Sequence, residues 1–298
     1  MNFPDGVSCP GCGGDRIEDV APYRGVHEIF QRMRLGRCAG CGLVFAHPQP
    51  TAVELSAYYE HYWDGEVAVS TPSTRRYYFA QGISRLHYLR KFIDLGKRPR
   101  VLDMGAGLGL LRDSMARQGI AGEYAAVESD RVQFAALRER LGAGAAYPDL
   151  AALPAGRPFD LIVLAHVLEH AADPNGLVGA LMARLRPGGA LFVEVPNGDH
   201  RYKASFESHL LFFDEQSLSH LLRRHGELLD VASVGKPATQ LNITQVYPDR
   251  GALRSLKEAV KSLLAAITPG FDDRQIERYG MCAYGGDRQW LRALLRRA

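Results

Sequence analysis

Four of the five cysteines form two closely spaced pairs near the amino terminus. Cys9 and Cys12 make one Cys-x-x-Cys pair, and Cys38 and Cys41 make the other, with 25 residues between the pairs. Each pair places two thiols on one side of a tight turn, so two pairs can supply the four sulfur ligands of a tetrahedral zinc ion. Four protein ligands close the coordination shell, and we therefore predict a structural zinc. An iron–sulfur site and a redox pair are the alternatives.

A second group of residues with chemical potential is the glycine-rich run at 103–109. Its glycines let the backbone approach a ligand closely. A dinucleotide-binding Gly-x-Gly-x-x-Gly run would need glycine at position 110, where this chain has leucine. An aspartate at the start of the run would repel a pyrophosphate, but it would offset the sulfonium and ammonium charges of S-adenosylmethionine. We predict that this cofactor contacts Asp103, Gly105, Ala106 and Gly107.

Three further positions fit the same ligand. Glu128 closes an apolar run, where its carboxylate could accept both ribose hydroxyls; the alternative is an exposed acid at a strand end. Asp149 could accept from the adenine amino group while Leu150 packs on the ring, although a simple turn explains this pair equally well. His166 ends another apolar run and could contact the cofactor or the substrate.

The elements that must position these residues alternate along the chain. Apolar runs at 99–104, 124–129, 159–166 and 190–196 read as strands, with helical segments between them. Such alternation predicts an open parallel sheet with helices on both faces. Ligands bind at the carboxyl ends of the strands in sheets of this kind, so the cofactor residues should meet at one edge.

Other segments flank this alternation. We expect a helix at 51–60, with Thr51 as its cap and Glu54 completing a capping box, and helices at 74–95 and 214–225. Residues 227–235 and 239–247 read as an antiparallel strand pair at the sheet edge. The tail reads as two helices. The predicted division is a zinc ribbon at 1–50, a helical lid or linker at 51–98, a core at 99–250 and C-terminal helices at 251–298.

Several motifs together carry a family resemblance over roughly residues 85–248. They are DMGAGLG, AVESD, FDLIVLAHVLEH followed by Asp173-Pro174, and RPGGALFVEVPN. In combination they resemble the class I S-adenosylmethionine-dependent methyltransferases. The resemblance implies an α/β fold with a Rossmann-like, seven-stranded methyltransferase sheet, here with a small N-terminal zinc ribbon. It also implies methyl transfer and adds Ala165, beside His166, to the cofactor contacts.

Methyl transfer from a sulfonium requires alignment of the acceptor, and an oxygen or carbon acceptor also requires removal of a proton. The segment 206–213 resembles the Glu-His-x-x-Tyr-Phe-Ser segment of the deoxysugar C-methyltransferases, which also carry a four-cysteine zinc module. This resemblance implies His209 as general base, Glu207 as its neighbouring carboxylate and Tyr62 in support. Ser208 separates Glu207 from the histidine, which breaks the pattern and leaves the substrate class open. A three-histidine metal site is a less favoured alternative.

Composition limits the partners. The formal net charge is +3 and the isoelectric point is about 8.6. Residues 1–50 hold five arginines and five acids, so a zinc-loaded ribbon would be neutral to negative, which argues against nucleic acid as a partner. The sequence has neither a long apolar run nor a secretory signal. We expect a cytoplasmic monomer or homodimer with a small-molecule substrate and no membrane partner. An RNA methyltransferase and a non-catalytic cofactor-binding subunit are the alternatives.

Overall fold

Two β-sheets organise the chain. The computed structural model describes residues 3, 4, 6–62, 72–241, 260, 268, 274, 276 and 281–298. Its sheets have four and seven strands. Buried side chains of both sheets belong to one continuous hydrophobic core, so the N-terminal segment packs directly on the larger sheet.

The smaller sheet contains the N-terminal segment and one short strand from later in the chain. Strands β1 (Ile17–Pro22), β2 (Arg34–Cys38) and β3 (Val44–His47) form an antiparallel meander. Strand β9 (Leu211–Phe212) pairs antiparallel with β3 and completes the sheet. The chain near residue 210 is therefore fixed to the N-terminal segment through backbone hydrogen bonds.

The larger sheet has seven strands: β4 (Arg100–Met104), β5 (Glu123–Val127), β6 (Ala146–Tyr147), β7 (Phe159–Ala165), β8 (Leu185–Pro196), β10 (Glu227–Pro237) and β11 (Arg288–Arg296). Their order across the sheet is β10-β11-β8-β7-β4-β5-β6. The strands β4 to β8 are mutually parallel. Strand β11 lies antiparallel between β8 and β10. The predicted seven-stranded sheet is confirmed, with parallel strands from β4 to β8 and one antiparallel strand, β11.

The helices follow the predicted order. Thr51 caps α1 with the capping box to Glu54, as predicted. The predicted helix at 74–95 begins slightly earlier and ends at Leu89, beyond which residues 90–93 form hydrogen-bonded turns. Asp130 caps α4 through the amide of Gln133. The helices are α1 (Ala52–Glu60), α2 (Pro72–Leu89), α3 (Leu110–Arg117), α4 (Arg131–Leu141), α5 (Pro174–Arg184) and α6 (Glu215–Leu222).

The carboxyl-terminal tail differs from the expectation. Residues 288–296 form the buried strand β11 rather than a helix. Their leucine, alanine and arginine content favours a helix locally, but pairing with β8 and β10 buries both faces and overrides that preference. The start of the strand predicted at 239–247 is not a strand, because residues 238–240 form a 3₁₀ turn; among the described residues β10 pairs with β11. The rest of the predicted strand, and most of 251–280, lie outside the described residues.

No helix within the described ranges is both long and apolar enough to cross a bilayer. The domain limits at residues 50, 98 and 250 stay predictions, because the shared hydrophobic core does not separate the segments on either side of these limits.

Candidate active site

A cleft of about 350 Å³ opens at the carboxyl ends of β4, β5 and β7. All nine residues predicted to contact the cofactor line this cleft, as expected for a ligand site at the carboxyl ends of parallel strands. They are Asp103, Gly105, Ala106, Gly107, Glu128, Asp149, Leu150, Ala165 and His166. Residues separated by more than sixty positions thus face one space, and the space is large enough for a nucleoside ligand.

The glycine-rich run makes a sharp bend at the floor of the cleft. Gly105 and Gly107 have φ values of +71° and +52°, in the left-handed region that favours glycine. A Cβ at Gly105 would lie 2.3 Å from the side chain of Val167. The amides of Gly105 and Ala106 donate to the carbonyl of Val127 at 2.9 and 3.0 Å, which ties the bend to β5.

Asp103 is a buried carboxylate at the end of β4. It is 5% exposed, and the hydroxyl of Tyr124 donates to it. Burial raises the pKa of Asp103 to about 6, against the opposing effects of Tyr124 and Arg85. A buried carboxylate with a raised pKa is stabilised by a cation, so this end of the cleft suits a positively charged ligand.

Glu128 lies on the opposite side of the bend. Its Oε2 accepts from the amide of Gly107 at 2.7 Å, and its Oε1 accepts from the amide of Asp130 at 3.0 Å. Burial is the largest influence and raises its pKa. A carboxylate has about four acceptor positions, so two are left for hydroxyls of a ligand.

Asp149 and Leu150 combine both interpretations that the sequence left open. Oδ1 of Asp149 accepts from the amide of Ala152 at 2.7 Å, so the aspartate does shape a turn. Both residues also line the cleft. The turn therefore holds its carboxylate at the ligand space.

His166 is held by two buried glutamates. Its Nδ1 lies 3.4 Å from Glu169 and its Nε2 lies 3.3 Å from Glu194. Burial alone would lower its pKa, but the glutamates raise the pKa of His166 to about 9. Its backbone has a φ of 57°, unusual for a residue other than glycine. The side chain thus presents an imidazolium at the cleft.

Glu194 is the centre of a buried ionic network that the sequence analysis missed. Its oxygens lie 2.6 Å from nitrogens of Arg85 and of Arg292. Glu194 and Arg292 are fully buried, and Arg85 also lines the cleft. The only sequence signal is a glutamate inside the apolar run FVEVP, since such a charge needs buried partners. Those partners come from α2 and β11, which no local pattern connects.

The candidate base His209 lies behind the cleft wall. It is 7% exposed, and its Nδ1 is 2.8 Å from Oδ2 of Asp199, a carboxylate that the sequence analysis also missed. The ring of His170 lines the cleft and contacts the ring of His209 edge to face, with centroids 4.8 Å apart. Burial lowers the pKa of His170 to about 4. The structure thus brings His209 next to the cleft, with His170 between.

Glu207 and Tyr62 have different positions. Glu207 points away from the cleft, where its Oε1 accepts from the amides of Val26 and His27. It therefore joins the segment that carries His209 to the N-terminal segment. Tyr62 lines the cleft together with Tyr59.

The four cysteines converge as predicted. Their sulfur atoms all lie within 4.8 Å of one another. Cys9 and Cys41 are 3.6 Å apart, and Cys12 and Cys38 are 3.5 Å apart. The side-chain amide of Asn175, on α5, donates to two backbone carbonyls in the turn between Cys9 and Cys12, at 2.8 and 3.0 Å. The cluster is thereby fixed to the larger sheet's helical layer.

Known proteins share this architecture. A family model described as a methyltransferase domain matches residues 73–228. A ubiquinone biosynthesis O-methyltransferase of Xylella fastidiosa is 39% identical over 121 residues, which are 38% of this chain and 48% of the relative. One from Parvibaculum lavamentivorans is 36% identical over 113 residues, 37% and 43% of the two chains. The chain spans about half the length of these curated relatives.

A solved structure agrees in fold. It is an S-adenosylmethionine-dependent methyltransferase from Thermotoga maritima, described as a possible histamine N-methyltransferase. It is 13% identical, with a TM-score of 0.50 over 82% of this chain and 100% of that chain. Because the family model covers more than half of the sequence and the sheet and cleft agree with it, the chain belongs to the class I S-adenosylmethionine-dependent methyltransferases.

Proposed function

We propose that this chain transfers a methyl group from S-adenosylmethionine to an oxygen or an acidic carbon of a small-molecule biosynthetic intermediate. The observation that carries the proposal is the pair of buried carboxylates, Asp103 and Glu128, on either side of the glycine bend. Asp103 offsets the cationic methionine portion, and Glu128 accepts from the ribose hydroxyls. A pyrophosphate would be repelled by the same two groups.

The acceptor is most simply a hydroxyl. The matched relatives are named O-methyltransferases of ubiquinone biosynthesis, which supports an oxygen acceptor on a small organic molecule. A nucleotide-linked sugar is the other acceptor class that we propose to test. The imidazolium of His166 at the cleft suits an acceptor that carries or develops negative charge.

We propose His209 as the residue that deals with the acceptor proton. Asp199 lies against Nδ1, so Nε2 is left as the basic nitrogen. Tyr62 and Tyr59 would cover the cleft and keep water from the sulfonium. Glu207 has a positioning role in this proposal, because it anchors the segment that carries His209.

We further propose that the four cysteines hold a structural zinc ion. Zinc–sulfur bonds of about 2.3 Å place tetrahedral sulfurs about 3.8 Å apart. The sulfur separations of 3.5 and 3.6 Å fit that arrangement. When bound, the ion would cross-link the two Cys-x-x-Cys turns, and it would take no part in the reaction.

A methyl-transfer assay tests the proposed function. The full chain is incubated with methyl-labelled cofactor and a panel of phenols, catechols and nucleotide-linked sugars, and products are analysed by mass spectrometry. We expect a gain of one methyl on a hydroxylated acceptor. We expect His209→Gln to remove most of the turnover while cofactor affinity persists. Methylation of RNA alone, with RNA binding that falls steeply with salt, would favour the RNA methyltransferase instead.

A further inference from the structure

Three side chains beside the cleft converge on one point. One carboxylate oxygen of Glu169 and one ring nitrogen from each of His170 and His209 lie within 4.8 Å of one another. We propose that these residues bind a divalent transition-metal ion, separate from the four-cysteine site. The inference deepens the proposed function, because the ion would sit at the wall of the methyl-transfer cleft and engage an oxygen of the acceptor.

The surroundings of His209 fix which nitrogen could bind the ion. Nδ1 lies 2.8 Å from Oδ2 of Asp199, which is 0% exposed. The contact lacks hydrogen-bond geometry, but a carboxylate this close to Nδ1 favours the tautomer with the proton on that nitrogen. Nε2 then carries the free lone pair. A carboxylate behind a ligand histidine is the usual arrangement in metal sites, where it orients the ring and raises its basicity.

His170 has the matching arrangement. Its Nδ1 lies 3.1 Å from the backbone carbonyl of Ser208 and 3.0 Å from the hydroxyl oxygen of the same residue. Because a carbonyl can only accept, this arrangement favours a proton on Nδ1. Nε2 is thus an acceptor, and it lies 3.9 Å from Oε1 of Glu169. Nε2 of His170 therefore offers a lone pair beside Glu169, and His209 contributes a ring nitrogen within 4.8 Å of both.

Glu169 supplies the negative charge. It is 1% exposed, and neither of its oxygens accepts a hydrogen bond from any residue in the described part of the chain. In the described part of the chain, the nearest side-chain nitrogens are Nδ1 of His166, 3.4 Å from Oε1, and Nε2 of His170, 3.9 Å from it. His166 also contacts Glu194, so it offsets only part of the charge on Glu169. A buried carboxylate without hydrogen bonds is costly, and a bound cation removes that cost.

Lys203 is the group that competes with a cation here. Its Nζ is 2.9 Å from Asp199, and it is 3.5 and 3.4 Å from the two ring nitrogens of His209. Nearly equal distances place the ammonium beside the ring and not along the lone pair of Nε2. The lysine side chain is 25% exposed, so it can remain on Asp199 while the ion occupies the other side.

The number of ligands indicates the ion's role. Bonds of about 2.1 Å place donors at most about 4.2 Å apart, so side-chain shifts within about 1 Å would complete the set. Two imidazoles and one carboxylate suit zinc, iron, cobalt or nickel and leave coordination positions open. His170 lines the cleft, so an acceptor oxygen can reach an open position. With Nε2 of His209 bound to the ion, that nitrogen would no longer serve as a free base. Coordination would instead lower the pKa of a bound hydroxyl, whose proton would pass to solvent water.

A calorimetric titration, with visible absorption spectra recorded in parallel, tests the site. The full chain is first loaded with one zinc equivalent to fill the cysteine site and is then titrated with Co²⁺. We expect one further Co²⁺ per chain, with the weak visible bands of nitrogen and oxygen ligands and without thiolate charge-transfer absorption. Glu169→Gln and His209→Gln should each weaken this binding more than tenfold. Asp199→Asn should weaken it about 10- to 100-fold, because it disturbs ring orientation alone.

His220→Gln, an exposed histidine on α6, is the matched control and should bind Co²⁺ like the unaltered chain. S-adenosylhomocysteine affinity is measured for every variant, to show that each is folded. Absence of the second Co²⁺, or its retention in both ligand variants, overturns the metal site. If the adenosyl ligand binds and methyl transfer persists in that case, the proposed function survives; if neither is seen, the proposed function fails by itself.

Discussion

At the scale of single residues, the cleft depends on carboxylates that are buried before any ligand arrives. Asp103 is 5% exposed and Glu128 is 8% exposed, yet each keeps acceptor positions toward the cleft. Burial raises the pKa of both. Their desolvation is the reason that a cationic, hydroxyl-bearing ligand should bind strongly here.

We expect Glu128→Gln to weaken S-adenosylhomocysteine binding by about tenfold, because hydrogen bonds to a charged acceptor contribute about 1.5–3 kcal/mol. Equilibrium dialysis measures the effect. Glu123→Gln is the control and should bind normally, since Glu123 begins β5, the strand that Glu128 follows, and its side chain is 61% exposed. Equal affinities for the two variants would remove Glu128 from the ligand site.

The affinity for S-adenosylmethionine should also fall with pH. Asp103 has a pKa of about 6, so its carboxylate is charged above that pH and protonated below it. Only the charged form attracts the cationic cofactor, and affinity should therefore drop by about tenfold between pH 7.5 and pH 5. Asp103→Asn should bind more weakly at pH 7.5. If the affinity of this variant still falls to the same extent between pH 7.5 and pH 5, a group other than Asp103 is responsible for the pH dependence.

The residues that could be predicted were those with a local signal. Asp103, Glu128 and His166 each end an apolar run, so strand geometry alone placed them at one edge. Asp199 and Arg292 have no comparable signal. Each contacts a partner that is distant in the sequence. The residue type alone does not identify that partner.

At the scale of elements, β11 shows how packing overrides local preference. It lies between β8 and β10 in the centre of the sheet's antiparallel side. Its leucines would suit an amphipathic helix equally well. The hydrophobic pattern of only nine residues cannot distinguish a helix from a strand. The strand also brings Arg292 to Glu194, so the tail contributes a buried charge to the network behind the cleft.

Removal of that charge should destabilise the whole sheet. We expect Arg292→Met to lower the free energy of unfolding by about 3–5 kcal/mol, because Glu194 would lose a buried partner. Urea denaturation measures it. Arg296→Met is the control on the same strand, since its ion pair with Glu227 is partly exposed and should contribute less than about 1 kcal/mol. Similar losses in both variants would contradict a special role for the buried pair.

At the scale of the whole molecule, the N-terminal segment positions part of the cleft wall. β9 joins its sheet, the hydroxyl of Tyr23 donates to the carbonyl of His209 at 3.0 Å, and Glu207 holds the loop at Val26 and His27. The sequence predicted a structural zinc site in this segment. It did not predict this attachment, because a two-residue strand such as β9 has no recognisable pattern.

Loss of the metal should therefore weaken the molecule beyond the two knuckles. We expect Cys38→Ser to lose the zinc and to lower the thermal midpoint by roughly 5 °C or more, since structural zinc contributes directly to folding. Elemental analysis and calorimetric melting are the measurements. Cys282→Ser, outside the cluster, should change neither. An unchanged midpoint after complete zinc loss would show that the knuckles fold without the ion.

The ligand preference of the cleft is the claim on which the other proposals depend. Isothermal titration of the full chain with S-adenosylhomocysteine and, in parallel, with nicotinamide adenine dinucleotide tests it most directly. We expect one molecule of S-adenosylhomocysteine to bind per chain and the dinucleotide to give no heat of binding. Saturable binding of the dinucleotide, with no binding of S-adenosylhomocysteine, would contradict the account.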